Sequence, residues 1–173
     1  MSDMFDVSFS RLVGNEGGFK KESTDRGDWT SGIVGKGRLV GTKFGLSAMT
    51  YPNLDIENLT VDDAKAIYKR DWWDKLGMRQ FPPALAFQFF DAAINHGAVR
   101  AGVFIQVAVG VKPDGVIGPK TIAAVNSSDK NDLLMLFLAA RLEFFVGLKT
   151  WDTYSRGWAK RVVTDLRYAA QDN

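Results

Sequence analysis

Apolar residues recur at helical spacing along most of the chain and lapse between residues 20 and 47. In the opening run "DVSFSRLVGNEGGF", Phe9, Leu12, Val13 and Glu16 stand at i, i+3, i+4 and i+7. One helical face therefore carries three hydrophobes and then an acid. Gly17-Gly18 is expected to stop that helix, because glycine takes left-handed cap conformations at little steric cost. A carboxyl at that end is partly desolvated and sits near the negative end of the helix dipole. Both effects disfavour ionisation, which is the condition a general acid requires. The same position also suits an ordinary solvated last-turn acid.

The lapse between 20 and 47 is polar and glycine-rich, and its β-prone pieces "GIV" and "RLVGTKFGL" predict a small hairpin or sheet. Helical periodicity then returns. Thr60 is placed as an N-cap, Asp63 as its capping-box partner, and Leu59 as a staple onto Ala64. Ala64, Ile67, Tyr68 and Trp72 form the apolar stripe of that helix, and Trp73 beside it suits either the core or the wall of a groove. Pro83 opens a third helix, "PALAFQFFDAAINHG", apolar nearly all round and therefore buried. Asp91 and Asn95, four apart on it, must be satisfied by neighbours or be useful. They suit anchoring of nearby backbone and sugar hydrogen bonds equally well. His96, in the last turn before Gly97, reads first as a dipole-favoured cap and second as a catalytic residue. Further helices follow in "AGVFIQVAVG", "DGVIGPKTIAAVN", "DLLMLFLAARLEFFVGL" and "YSRGWAKRVVTDLRYAA". The expected fold class is mainly α, with one small β element.

Composition narrows the chemistry. The 173 residues suit one domain, or one domain with a small lobe, and 46% hydrophobic content supplies a core. The chain has no cysteine and a single histidine, which removes thiolate nucleophiles and makes a zinc centre an unexpected design. Carboxylate chemistry remains. A net charge of +2 suits an anionic polymer such as a cell wall and equally an ordinary soluble protein. No Lys/Arg block suggests a nucleic-acid arm. The start lacks a signal-peptide pattern, and no apolar run reaches about 18 residues, so a soluble cytoplasmic product is expected. Arg156, Lys160, Arg161 and Arg167 alternate with Trp158, Val162, Val163 and Leu166 near the end. That pattern predicts a core helix with a solvated basic face, with membrane activity as the second reading.

"EGGF", "DRG", "GTKFGLS", "FFDAAINHG", "DGVIGPKT" and "RGWAKR" in this order resemble glycoside hydrolase family 108, N-acetylmuramidases found largely as phage endolysins. The resemblance implies a helical lysozyme-like fold, with a hydrolase segment over 1–95 and a peptidoglycan-binding-like segment over 96–173 packed into one domain. It implies Glu16 as general acid, Asp25 as second carboxylate and Thr42 as holder of the attacking water. Thr30 and Ser31 compete with Thr42, because the dozen residues "WTSGIVGKGRLV" push Thr42 beyond the simple lysozyme spacing. Asp91, Asn95 and Trp73 are the candidates for substrate contact. Also implied are peptidoglycan glycan strands as partner, a monomer, no cofactor and no metal. The expected site of action is the periplasmic wall, reached from the host cytoplasm through a holin or envelope damage. A lytic transglycosylase and a non-catalytic wall-binding protein are the competing functions.

Overall fold

A computed structural model describes residues 3–14 and 18–173, so Glu16 and Gly17 lie outside the described residues. The chain separates into two compact units, Met1–Arg70 and Asp71–Asn173.

In the first unit, α1 (Met4–Val13) is capped by the Asp3 carboxylate and buries Phe5 and Phe9. Its end comes earlier than the paired glycines suggest. Gly14 takes a φ of +51° while its N–H still bonds the Ser10 carbonyl, so the first available glycine breaks the helix. β1 (Thr42–Lys43) and β2 (Leu46–Ser47) form an antiparallel hairpin in the register Thr42 to Ser47 and Lys43 to Leu46. Both residues of its turn, Phe44 and Gly45, have positive φ (52° and 79°), as the tight hairpin turn that follows strand twist demands. Isolated bridges join Lys20 to Thr42 and Trp29 to Leu39. The piece "GIV" is not a strand: Ile33 and Val34 stand exposed within the loop between Trp29 and Leu39.

The Phe44–Gly45 turn is held from behind. Tyr68 donates its hydroxyl to the Phe44 carbonyl at 3.1 Å. A Cβ at Gly45 would stand 2.6 Å from that hydroxyl. Gly45→Ala therefore meets both an unfavourable φ and a clash, and should cost about 1–3 kcal/mol. A urea midpoint lowered at constant m-value checks this.

α2 (Val61–Tyr68) carries the expected capping box, with Thr60 and Asp63 bonding one another's backbone N–H groups. Ala64, Ile67 and Tyr68 are buried on its inner face. The helix then continues through Lys69–Asp74 as a wide turn with i+5 closure. That extra residue moves the buried face from Trp72 to Trp73, so the apolar stripe read from the sequence slips by one at its end.

The second unit is a helical assembly. α3 (Pro83–His96) starts with proline in its first turn and stops at Gly97, whose φ is +83°. It packs against α4 (Ala98–Ala108) and α7 (Trp151–Asp172), while α6 (Lys130–Val146) packs against the same two helices. α5 (Pro119–Ser127) leans on α4. Phe87, Phe89, Phe90, Phe104, Phe137 and Phe145 are buried here. Gln106 of α4 ties down the "DGV" turn: its amide donates to Asp114 and Val116 and accepts from the Gly115 N–H. That turn is a structural clasp. Val162 and Ala169 are buried on α7, and no described helix is long and apolar enough to cross a membrane. The result is the mainly α, lysozyme-like architecture that the sequence leads one to expect.

Candidate functional site

The glycine-rich segment of the first unit folds around one carboxylate. Asp28 is 2% exposed; one of its oxygens accepts the Glu22 N–H at 2.6 Å and the other accepts the Thr42 hydroxyl at 2.6 Å. Its carbonyl takes the Val40 and Gly41 N–H groups. A buried carboxylate with both oxygens engaged is a strong organiser, because charge-assisted hydrogen bonds are short and roughly twice as strong as neutral ones. Thr42 therefore spends its proton on Asp28 and keeps its oxygen lone pairs for a donor such as water. Lys20 pairs with Thr42 through both backbone bonds, 2.8 and 2.9 Å long. Residue 20 is four positions beyond Glu16, so the chain leaving the "EGGF" run is stitched to the Thr42 strand. Gly41 permits this close approach, since a Cβ there would stand 2.8 Å from the Phe19 ring.

Asp25 is exposed and caps the short turn Arg26–Asp28, accepting the Gly27 N–H at 2.7 Å. Only one of its oxygens is used in that bond, and the turn it caps carries Asp28. Asp25, Asp28 and Thr42 are thus joined through one turn and one side-chain bond. Thr30 and Ser31, the rivals of Thr42, close the loop instead: the Thr30 hydroxyl accepts the Arg38 N–H, and the Ser31 hydroxyl donates to the Lys36 carbonyl. Asp28 was not among the residues singled out from sequence. Its signal was available in "DRGD", where a second acid follows the turn-forming Asp-Arg-Gly.

The residues expected to touch sugar from α3 have other occupations. Asp91 is 4% exposed, and its oxygens meet Arg161 at 2.6 and 3.1 Å and Arg141 at 2.8 Å. Asn95 turns its amide oxygen to the same Arg161 guanidinium at 2.6 Å. Trp73 is 1% exposed and packs edge-on against Phe90. Sugar contact by Asp91 and a groove wall at Trp73 give way to ion pairing and core packing, because neither side chain reaches solvent.

Arg141, fully buried on α6, is the centre of this cluster. One guanidinium nitrogen lies 2.8 Å from both Asp91 and Asp165, and Nε donates to His96 Nε2 at 3.1 Å. Burial opposes charge on Asp91, but the Arg161 hydrogen bonds and the charges of Arg141 and Arg161 outweigh it and hold its carboxyl below the usual range. Asp165 shares Arg141 with Asp91, so burial and the Asp91 charge dominate and push it up to about 7. Burial and the adjacent Arg141 lower His96 to about 4. A single basic residue, Arg141, inside "LFLAARLEFF" was the sequence signal for this cluster.

These shifts set a pH dependence. Unfolding releases His96 to its ordinary value of 6.5, so stability drains as pH falls from there toward 4. Asp165 works the other way, because the unfolded chain loses that proton near 3.8; stability drains as pH rises from there toward 7. The two oppose each other through the mildly acidic range. In His96→Gln only the Asp165 contribution remains, so the melting temperature should climb on acidification from about pH 7 to about pH 5 while the parent stays nearly flat. Calorimetry at matched pH values reads this, and a variant that instead loses stability on acidification would contradict the assignment.

Among the described residues no group of three or more acids or histidines is placed to hold a metal ion. The described chemistry is that of carboxylates and a hydroxyl.

The family model "Glycosyl hydrolase 108" matches residues 9–97, and "Predicted Peptidoglycan domain" matches residues 100–163. The solved structure of SagA from Brucella abortus is similar, with a TM-score of 0.80 and 28% identity over 97% of this chain and 94% of that one. No match was found among curated proteins.

Proposed function

This chain belongs to glycosyl hydrolase family 108 and is a lysozyme-like hydrolase of peptidoglycan, and on that premise we propose that it cuts the β-1,4 bond between N-acetylmuramic acid and N-acetylglucosamine. The observation that carries the proposal is the Thr42–Asp28 pair, bonded at 2.6 Å on a strand stitched to the chain that leaves Glu16. Glu16 donates a proton to the leaving oxygen as the oxocarbenium-like transition state forms. Asp25 stabilises the developing positive charge or takes a proton from water. Thr42, its hydroxyl oriented by Asp28, accepts a hydrogen bond from that water. Asp28 is a positioning residue here.

The assignment of Glu16 gains support from what the other titratable candidate does. His96 is neutral, half-buried and already accepting from Arg141, so it has no proton to give near neutrality. A lytic role for a phage, acting on the wall from inside the host, is part of the same reading and rests on the motif resemblance.

Mass spectrometry of products released from purified peptidoglycan tests the bond assignment. Reducing N-acetylmuramic acid ends are expected. Anhydro-muramic ends would mean a transglycosylase, reducing N-acetylglucosamine ends a different glycosidic bond, and retention on the wall without soluble product a binding protein.

A further inference from the structure

The start of α7 presents an aromatic surface that the catalytic residues do not use and the core covers only in part. Trp151, Tyr154 and Trp158 follow one another at steps of three and four, so they share one face of the helix. The Tyr154 and Trp151 rings lie 5.7 and 6.1 Å from Trp158, tilted by 36° and 40°. Core pairs of this unit, such as Trp73 with Phe90 and Phe81 with Phe89, meet edge-on instead. The three rings thus form a shallow, continuous plate. Trp158 fixes it to the interior by stacking on buried Phe145 at 4.8 Å and 18°.

Tyr154 is 56% exposed, the one aromatic ring among the described residues that stands mostly in solvent, and Trp151 and Trp158 are half-buried beside it. The exposed Lys149 precedes the helix by two residues, and the exposed Arg100 lies over the Phe144 ring at 4.7 Å. Asp152 is the acid of the same turn.

A hydrocarbon partner would match aliphatic side chains as well as aromatic ones. Flat rings open to solvent match something narrower, a pyranose. Its C–H face packs on the negative face of an aromatic ring. All three rings also fall inside the segment matched by the peptidoglycan domain model. We propose that Trp151, Tyr154 and Trp158 form a saccharide-binding plate for the peptidoglycan glycan strand, additional to the catalytic residues. The proposal rests on the reading of the chain as a peptidoglycan hydrolase.

Tryptophan emission, titrated with peptide-free glycan strands, tests it. Glu16→Gln is used as background so that the strands stay uncut. Emission should shift to the blue and saturate, and in Tyr154→Ala the apparent Kd should weaken about tenfold, the loss of one stacked ring with its packing area. Trp151→Ala/Tyr154→Ala should weaken it further, and Tyr154→Phe, which keeps the ring, should bind as the parent does. Should the double variant fail to fold, Tyr154→Ala decides, since its ring is mostly in solvent. Unchanged affinity in Tyr154→Ala overturns the proposal, and so does emission that responds to free stem peptides but not to glycan. Product analysis of the parent chain runs in parallel. A chain that cleaves normally but whose glycan affinity ignores Tyr154 loses the plate alone. One that binds through Tyr154 and releases no muramic-ended product loses the muramidase assignment alone.

Discussion

Arg141→Ala is expected to destabilise the protein by about 3–5 kcal/mol, the cost of stripping one partner from a buried ion cluster. The side chain is fully buried and serves Asp91, Asp165 and His96 at once. Removing it leaves Asp91 with Arg161, but takes from Asp165 its 2.8 Å ion pair and from His96 its donor. A cavity the size of a large side chain is added to those losses. Chemical denaturation with urea measures the effect as a lower midpoint. The double variant Arg141→Met/Asp165→Leu should recover much of the loss, because well-packed apolar residues can replace a buried ion pair at little cost. A double variant no better than Arg141→Ala would mean that the cost is volume and not charge.

Glu16→Gln should reduce muropeptide release from peptidoglycan by roughly 10²–10⁴-fold, the range attributable to a positioned general acid. Glutamine keeps the shape and hydrogen-bonding reach of the side chain and removes only the transferable proton. Retention on insoluble peptidoglycan should survive, since substrate contact does not depend on that proton. Release and retention measured on one preparation separate the two effects. Full activity in the variant would return the role to Asp25 or another acid and would sink the mechanism given above.

Much of this was legible in the residues because the relevant physics is local. Thr60 and Asp63 specify their capping box within four positions, Pro83 and Pro119 open helices, and Gly97 closes one. What escaped was contact between distant segments or a change of helical period. Nothing near Trp73 announces the wide turn that exchanges it with Trp72, because the turn's i+5 closure has no distinctive residue. Asp91 and Asn95 were recognised as polar groups needing partners, but those partners, Arg141 and Arg161, lie on other helices. The importance of Asp28 likewise depends on Thr42, fourteen residues away. The catalytic proposal for Glu16, Asp25 and Thr42 came from motif resemblance. Geometry adds to it the Asp28 link and the diversion of Thr30 and Ser31 into loop closure.

The segment from Lys20 to Ala48 has a thermal character of its own. Leu46 and Ala48 are its buried apolar residues, and the rest of its closure is polar: Asp28 with Glu22 and Thr42, Trp29 with Ser23, Arg38 with Pro52. Exposing polar groups lowers heat capacity, whereas exposing apolar ones raises it. Opening of this segment therefore carries a small heat-capacity change, and its free energy varies almost linearly with temperature. The phenylalanine-rich second unit unfolds with a large one and a curved profile, so cooling strengthens or weakens the two to different degrees, and the balance between them is set by temperature as much as by sequence.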